Sequence, residues 1–431
     1  MYEPRLETMR PEKLRELQLE RLRKMSRYAV ENVPMYKRRF KEAKLDPSGI
    51  RTLEDAAKIP FTVKTDLRDH YPYGILAVPI DKVVRIHASS GTTGKPTVVS
   101  YTRNDLETWA RLMARTFAAA GAGPGDIVQN AYGYGLFTGG LGFHYGAERV
   151  GAAVIPSATG NTKRQLMLMK DMRTTVLCST PSYAMYLGEA ALGEGYKPKS
   201  DFKLKAGLFG AEPWSEEARA RIQEVLGLRA HDCYGMSELY GPGVAVECAN
   251  QKGLHIWTDE FLVETIDPET GEVLEPGKKG EMVFTMLTRE AMPLLRYRTR
   301  DLAIIDHEEC SCGRHHPRIM RIQGRSDDML IIGGVNVFPS QVEHVLMNVP
   351  QIGDQYQIIV DRDLLDKLSV RAEVAQSFPF DKEAERASLA KSLESDLQAL
   401  LTVHAKVELV PHGALQRSEG KAKRVIDLRK G

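Results

Sequence analysis

Apolar positions recur at two different periods along the chain, and the change of period outlines its parts. Over residues 11–30, Leu14, Leu17, Leu22, Met25 and Ala29 return every three or four positions among charged neighbours, which predicts an amphipathic helix. From about residue 83 short β-branched runs alternate with helical patterns. They predict strands over 83–88, 152–155, 175–178 and 204–209. Between the first two, Asn104 reads as a helix N-cap, with Glu107 as its capping-box partner and Gly121 at the end. Ser215 opens a further helix that stops near Gly227. Strand–helix alternation of this kind predicts an α/β sheet covered by helices.

The character changes near Gly324. A strand is expected over 329–332, a Gly333-Gly334 turn next, and a strand over 335–338. Ser340 and Glu343 read as another capping box. A strand over 369–374, a helix over 382–401 and a strand over 406–410 complete a small α+β unit. The expected fold is therefore a large N-terminal α/β domain with mixed sheets plus a small, mobile C-terminal α+β domain. Its divisions are 1–81 (helical), 82–326 (large α/β) and 327–431 (small α+β), with Asp327, among charges and with Gly324 nearby, suited to an exposed hinge.

Composition narrows the function classes. A length of 431 residues suggests roughly two or three domains, and 42% apolar residues suffice for a sizeable core. Lys plus Arg is 59 against 57 Asp plus Glu, a formal net charge of +2, so nothing draws the whole chain to nucleic acid or an anionic membrane. The basic cluster at Lys421, Lys423, Arg424, Arg429 and Lys430 reads mostly as a solvated tail. The N-terminus has no apolar core of a signal peptide, and no apolar run approaches the ~20 residues of a membrane span. Five cysteines make a poor disulfide framework and fit a reducing cytoplasm.

The densest motif is Ser89-Ser90-Gly91-Thr92-Thr93-Gly94-Lys95-Pro96. Glycines let backbone N–H groups approach an anion, while hydroxyls and a lysine add donors and charge, which suits a polyphosphate. It is not a Walker A loop, which needs Gly at 89 and Ser or Thr at 96. The β-prone Thr97-Val98-Val99 behind it predicts a strand-to-strand hairpin. Residues 87–96 resemble the phosphate-loop signature of the adenylate-forming superfamily of acyl-CoA synthetases, peptide-synthetase adenylation domains and luciferases. The upstream Pro60-Phe61-Thr62-Val63-Lys64-Thr65-Asp66-Leu67-Arg68 is similar to the phenylacetate–CoA ligase branch.

That resemblance implies the remaining site. Gly210-Ala211-Glu212-Pro213, at a strand's C-terminal end where α/β sheets bind ligands, would pack on adenine. Asp232, Tyr234, Gly235, Met236 and Ser237 match the second signature, with Tyr234 near adenine and Ser237 near phosphate. Glu238 would ligate Mg²⁺, for which a carboxylate oxygen is the right hard ligand. Asp301 would accept both ribose hydroxyls, with Arg325 near ribose and phosphate. Tyr132, Gly133, Tyr134, Gly135 and Phe137 would line the acid pocket, where no cation stands for a second carboxylate. That implies a monoacid with an aryl tail. Lys421, directly after Gly420, matches the lysine that activates the acid, by stabilising charge that builds at the α-phosphate. The implied activity is ATP- and Mg²⁺-dependent ligation of an aryl acetic acid to coenzyme A through an acyl-adenylate. The N-terminal helical segment resembles a dimerisation element, which implies a homodimer. One departure is Gly333, where relatives often carry Arg; it bears on CoA use.

Cys248, His255, Cys310 and Cys312 form a set suited to structural, tetrahedral Zn²⁺, with His315 and His316 as substitute ligands. Two other readings compete. One is CoA-independent adenylyl transfer to a small-molecule acceptor, as in enzymes that act on a deazaflavin cofactor. The other is a non-catalytic ATP-binding regulator, which would be expected to lack Lys421 or Glu238. A serine hydrolase fits worse, since Gly235-Met236-Ser237-Glu238-Leu239 lacks the final Gly of a nucleophile elbow.

Overall fold

A computed structural model describes residues 1–89, 96–326, 330–332, 335–362, 366–417 and 424–430. The first helices are Pro4–Glu7, Pro11–Asn32, Pro34–Glu42 and Lys64–Asp69, each of the first three with Pro in its first turn, where no N–H is needed. Leu22, Met25, Ala29, Tyr36 and Phe40 from these helices belong to the same continuous core as Trp109, Phe117, Phe143 and Phe284. The helical segment is thus a layer laid on the large domain's core.

Strands β1 (Arg85–Ala88) and β2 (Val98–Tyr101) form an antiparallel hairpin with Ala88 opposite Val98. The expected strand-to-strand connection around the phosphate motif is therefore present. Next come β3 (Ile127–Asn130), β4 (Ala153–Ile155), β5 (Val176–Ser179), β6 (Ala206–Gly210) and β7 (Arg229–Met236), which pair in parallel in the order β4-β3-β5-β6-β7. The sheet then turns antiparallel through β8 (Gly241–Glu247), β9 (Leu254–Ile256), β10 (Phe261–Ile266), β11 (Lys279–Met286), β12 (Tyr297–Asp306) and β13 (Arg318–Ile319). Its full order is β10-β11-β12-β13-β9-β8-β7-β6-β5-β3-β4, eleven strands in one mixed sheet. A second cluster containing Leu166, Leu187, Phe209 and Ile222 packs helices Thr162–Asp171, Pro181–Gly193 and Glu216–Leu226 onto the parallel half.

The C-terminal residues have a core of their own, built on Val337, Val342, Ile358, Val370 and Leu393. A short hairpin, β14 (Leu330–Ile332) and β15 (Val335–Val337), precedes helix Pro339–Met347. Strands β16 (Ile352–Arg362), β17 (Asp366–Val374), β18 (Ala405–Val410) and β19 (Val425–Asp427) then form a sheet in the order β18-β17-β16-β19, backed by helix Glu383–Leu401. Asp327, Gly333 and Gly334 lie outside the described residues.

Two caps differ from expectation. The helix expected after Asn104 is Arg103–Ala119, capped by Thr102, whose hydroxyl accepts from Asp105 N–H at 3.1 Å while the Asp105 carboxylate accepts from Thr102 N–H at 3.0 Å. Asn104 instead donates to Glu290, and Glu107 pairs with Arg149. In the C-terminal part Phe338 takes the N-cap position, because Pro339 fixes the first helical residue, and Gln341 Oε1 accepts the Phe338 N–H at 2.9 Å. Ser340 and Glu343 are then two residues too late to cap. Ser215 and Gly227 hold their expected places: the Ser215 hydroxyl accepts Ala218 N–H at 3.1 Å and Gly227 sits at φ +69°.

Candidate active site

The hairpin brings Ala88 and Ser89, at the base of the expected phosphate loop, beside the loop over 132–138. Ser89 closes the hairpin: its N–H donates to Thr97 O at 2.9 Å and its hydroxyl accepts Thr97 N–H at 3.2 Å. Ser90, Gly91, Thr92, Thr93, Gly94 and Lys95 lie outside the described residues, as does Lys421. Ala88 N–H donates to Leu136 O at 3.0 Å, joining strand β1 to the loop over 132–138. In that loop the buried Tyr132 stacks on Phe143, ring centroids 4.7 Å apart. Tyr134 is half-buried; its hydroxyl accepts from Asn130 Nδ2 at 2.7 Å and meets His144 Nδ1 at 3.1 Å. Gly135, Leu136 and Phe137 are exposed.

The acid loop reaches the second signature through Thr138 and Ser237, hydroxyls 3.2 Å apart. Close approach explains two glycines nearby: a Cβ on Gly210 would sit 2.2 Å from Cys233 O, and one on Gly235 would sit 2.1 Å from Gly241 O. Ala211 follows β6 in the left-handed region at φ +74°. It and Pro213 are exposed at the strand's C-terminal end. Glu212 is drawn the other way, its Oε1 accepting Ser182 N–H at 2.8 Å at the start of helix Pro181–Gly193.

Two residues, Tyr234 and Arg325, converge on the Asp301 carboxylate. Asp301 Oδ2 accepts the Tyr234 hydroxyl at 2.7 Å, and Arg325 donates to Oδ1 at 2.9 Å. Burial first, then the Asp301 charge, pushes the Tyr234 phenol well above its usual value, so it stays a donor. Asp232, two positions back on β7, has its backbone N–H on Glu247 Oε2 at 2.8 Å. Burial and the neighbouring Glu247 charge push its own carboxyl up to about 7. Met236 is half-buried at the end of the strand.

Glu238 follows in a short helical turn and is 5% exposed. Lys64 Nζ stands 3.8 Å from its Oε1, an ion pair spanning the helical layer and the sheet. Tyr297 hydrogen-bonds the same carboxylate, and burial with the Glu238 charge pushes that phenol up as well. Oε1 itself has no hydrogen-bond partner among the described residues. A buried carboxylate oxygen with no hydrogen-bond donor among the described residues, and with the lysine nitrogen 3.8 Å away, fits a hard divalent cation such as Mg²⁺. Neither Lys64 nor Tyr297 was assigned a role from sequence. Lys64 lies inside the recognised segment 60–68, where it opens helix Lys64–Asp69, and Tyr297 stands four residues before Asp301.

The cysteine–histidine set also assembles, on the antiparallel half of the sheet. Cys248 follows β8, His255 lies on β9, and Cys310 and Cys312 sit in the loop before β13. One ligand atom from each lies within 4.8 Å of all the others. Zn–S and Zn–N bonds of about 2.3 and 2.05 Å imply tetrahedral edges of about 3.8 Å for S···S and 3.6 Å for S···N. Cys248 and Cys310 sulfurs are 3.8 Å apart, and Cys312 Sγ is 3.4 Å from His255 Nε2. His255 Nδ1 donates to His316 O at 3.0 Å, which leaves Nε2 free to ligate. His315 and His316 turn away: His315 Nδ1 meets Met9 O at 3.3 Å and His316 Nε2 meets Leu6 O at 3.2 Å. The expectation that either might substitute as ligand is therefore not met.

Comparison with known proteins fits this geometry. The AMP-binding enzyme family matches residues 24–286, and the AMP-binding enzyme C-terminal domain matches residues 334–429. The phenylacetate–coenzyme A ligase of Thermus thermophilus is 52% identical, with all of both chains covered. The enzyme of that name from Escherichia coli is 47% identical over 98% of this chain and 97% of its own. This chain belongs to the phenylacetate–coenzyme A ligase family of AMP-binding enzymes. Among solved structures, 2-hydroxyisobutyryl-CoA ligase in the postadenylation state with an acyl-AMP is 33% identical, with a TM-score of 0.93 over 99% of this chain and 92% of that one. The same ligase with CoA in the thioesterification state gives 0.73 over 98% of this chain and 91% of that one. The C-terminal domain of this family member is thus placed as in the postadenylation form. Two contacts join the C-terminal residues to helix Glu216–Leu226: Arg221 donates to Ile352 O at 3.3 Å, and His344 lies 3.5 Å from Glu217.

Proposed function

We propose that this chain condenses an aryl acetic acid, phenylacetate first among them, with ATP to an acyl-adenylate and passes the acyl group to coenzyme A. The carrying observation is the Tyr234–Asp301–Arg325 cluster, beside a buried Glu238 and the aromatic loop over 132–138. A carboxylate held at two oxygens by a phenol and a guanidinium is a fixed acceptor for a ribose diol. The aromatic–glycine loop offers a flat wall to an aryl ring.

In the first step an acid oxygen bonds to the α-phosphorus, the bond to the β-phosphate bridge breaks, and pyrophosphate leaves. Lys421 offsets charge on the transferring group, Ser237 and Thr138 present hydroxyls toward phosphate, and Glu238 is the residue that would hold Mg²⁺. When bound, that ion neutralises phosphate charge as a Lewis acid. In the second step the CoA thiolate attacks the acyl carbon and AMP leaves with the carbon–oxygen bond pair. The two steps need different walls, which a C-terminal domain turning about Asp327 would supply.

Structural Zn²⁺ at Cys248, His255, Cys310 and Cys312, a homodimer and a cytoplasmic location complete the proposal. No helix among the described residues is long and apolar enough to cross a membrane. The test is product analysis with ATP, Mg²⁺ and phenylacetate, with and without CoA, for wild type and Lys421→Ala. Phenylacetyl-CoA and AMP are expected from wild type. The variant should lose at least about a hundredfold in adenylation, as when a transition-state charge partner is removed. AMP without thioester would redirect the second step to another acceptor, with Gly333 the first residue to examine. No nucleotide turnover with any aryl acid would refute the proposal.

A further inference from the structure

The segment over 60–68 is sewn to the rest of the chain on both sides of Lys64. Thr62 bridges Tyr297 in parallel, its N–H donating to Arg296 O at 3.0 Å and its carbonyl accepting the Arg298 N–H at 2.9 Å. The Thr62 hydroxyl donates to Leu295 O at 2.7 Å and lies 2.9 Å from the Tyr36 hydroxyl. Asp66 accepts the Val63 N–H at 2.8 Å and is clasped by both terminal nitrogens of Arg39, at 3.0 and 2.6 Å. Helix Lys64–Asp69 therefore starts at a fixed point, and Tyr297, the residue that Thr62 pairs with, hydrogen-bonds Glu238. The Lys64 side chain has no tie of this kind. It is 42% exposed, and its ion-pair partner among the described residues is Glu238.

That pair is incomplete. An ammonium and a carboxylate that serve only each other close to about 2.7–2.9 Å. Here they stop at 3.8 Å, and the buried Glu238 Oε1 has no donor among the described residues. A half-exposed pair adds little to stability, while a buried anionic oxygen without a donor costs more than such a pair returns. The spacing makes sense when the site is filled. A divalent ion on Glu238 takes substrate phosphate oxygens among its other ligands, which sets phosphate beside the lysine. Which phosphates it meets follows from exposure. Asp301 and Glu238 are 6% and 5% exposed, whereas Lys64 opens to solvent. A nucleotide that runs from a ribose on Asp301 past Glu238 to Lys64 has its terminal phosphates outward, the end that leaves.

We infer that Lys64 is a further nucleotide-binding residue, whose ammonium group pairs with the β- and γ-phosphates of ATP. The inference rests on the roles of Asp301 and Glu238 under the proposed function. When the acid oxygen bonds to the α-phosphorus, the electron pair of the broken phosphorus–oxygen bond stays with the β-phosphate, so negative charge grows on the departing pyrophosphate. A lysine is a compact charge with three rotatable donors on a flexible stem, and from a fixed mount it can follow that group outward. AMP lacks both phosphates, so its binding should not depend on Lys64.

The test is titration calorimetry in Mg²⁺ of α,β-methylene-ATP and of AMP, on wild type and Lys64→Met. Met keeps the length of the side chain and removes its charge. Affinity for the triphosphate analogue should fall on the order of tenfold, the low end for a charged contact because the lysine is half-exposed. Affinity for AMP should stay within about twofold. Thermal melting reports whether the variant folds; if it does not, Lys64→Gln takes its place under the same criteria. A variant that binds both nucleotides as wild type does would overturn the inference and leave the proposed function standing. So would one that loses AMP as fully as the triphosphate, since Lys64 would then support the site as a whole and not the terminal phosphates. Wild type binding neither nucleotide would remove the inference and the proposed function together.

Discussion

Replacing Tyr234 by Phe removes one atom from the proposed nucleotide site and keeps the ring. The ring is anchored independently, stacked on Phe284 with centroids 6.2 Å apart. The lost hydroxyl donates at 2.7 Å to an Asp301 carboxylate that is only 6% exposed. A hydrogen bond to a charged group contributes about 1.5–3 kcal/mol. Arg325 stays on the other oxygen, and its side chain is 26% exposed, so water can approach from that side and part of the loss is recovered. The expected net cost is therefore near the lower half of that range, about 2 kcal/mol. At about 1.4 kcal/mol per tenfold, kcat/KM for ATP should fall roughly 10- to 100-fold. The assay is pyrophosphate release at varied ATP and saturating phenylacetate, paired with titration of AMP binding. AMP affinity should drop by a similar factor, because the damage is to an acceptor for ribose and precedes any chemistry. A variant with kcat/KM for ATP and AMP affinity both within about twofold of wild type would refute the assignment of Asp301 to the nucleotide.

Two further outcomes follow from groups outside that cluster. Purified protein should carry one zinc per chain by elemental analysis. Asn250→Ala, which removes a donor 3.3 Å from Cys310 Sγ, should weaken retention against a chelator about 10- to 100-fold; zinc-free wild type with unchanged thermal stability would refute the site. Burial pushes the Glu343 carboxyl up to about 7, with Arg424 and Arg321 opposing, Glu212 adding, and the Tyr356 hydroxyl bonded to it at 3.2 Å. Below about pH 4.5 folded and unfolded chains both hold this proton. From there to pH 7 only the folded chain does, so this group makes stability fall as pH rises, by at most about 3 kcal/mol. Glu343→Gln should therefore melt higher than wild type at pH 8, with the gap closing by pH 5; a gap independent of pH would refute the assignment.

Several features were legible in the sequence because they depend on neighbours along the chain. A β-prone run after the phosphate motif dictates a hairpin, and Ser215 and Gly227 bound their helix. The caps show where local information ends. Thr102 and Asn104 are both good N-cap residues, and the choice falls on Thr102 because the Asp105 carboxylate also accepts Glu290 and Ala291 N–H groups at 2.8 and 2.9 Å, some 185 residues away. Phe338 was decided locally, by Pro339, a signal outweighed by the more familiar Ser–Glu spacing. Only the tertiary structure could place Lys64 and Tyr297 on Glu238, or Tyr234 and Arg325 on either side of Asp301. In the sheet order β7 and β12 have three strands between them, yet Tyr234 and Asp301 meet at 2.7 Å, and Lys64 reaches Glu238 from the helical layer. Residue types and spacings therefore determined which chemistry this chain can hold, while tertiary packing, fixed by burial over hundreds of residues, decided which side chains share a charge.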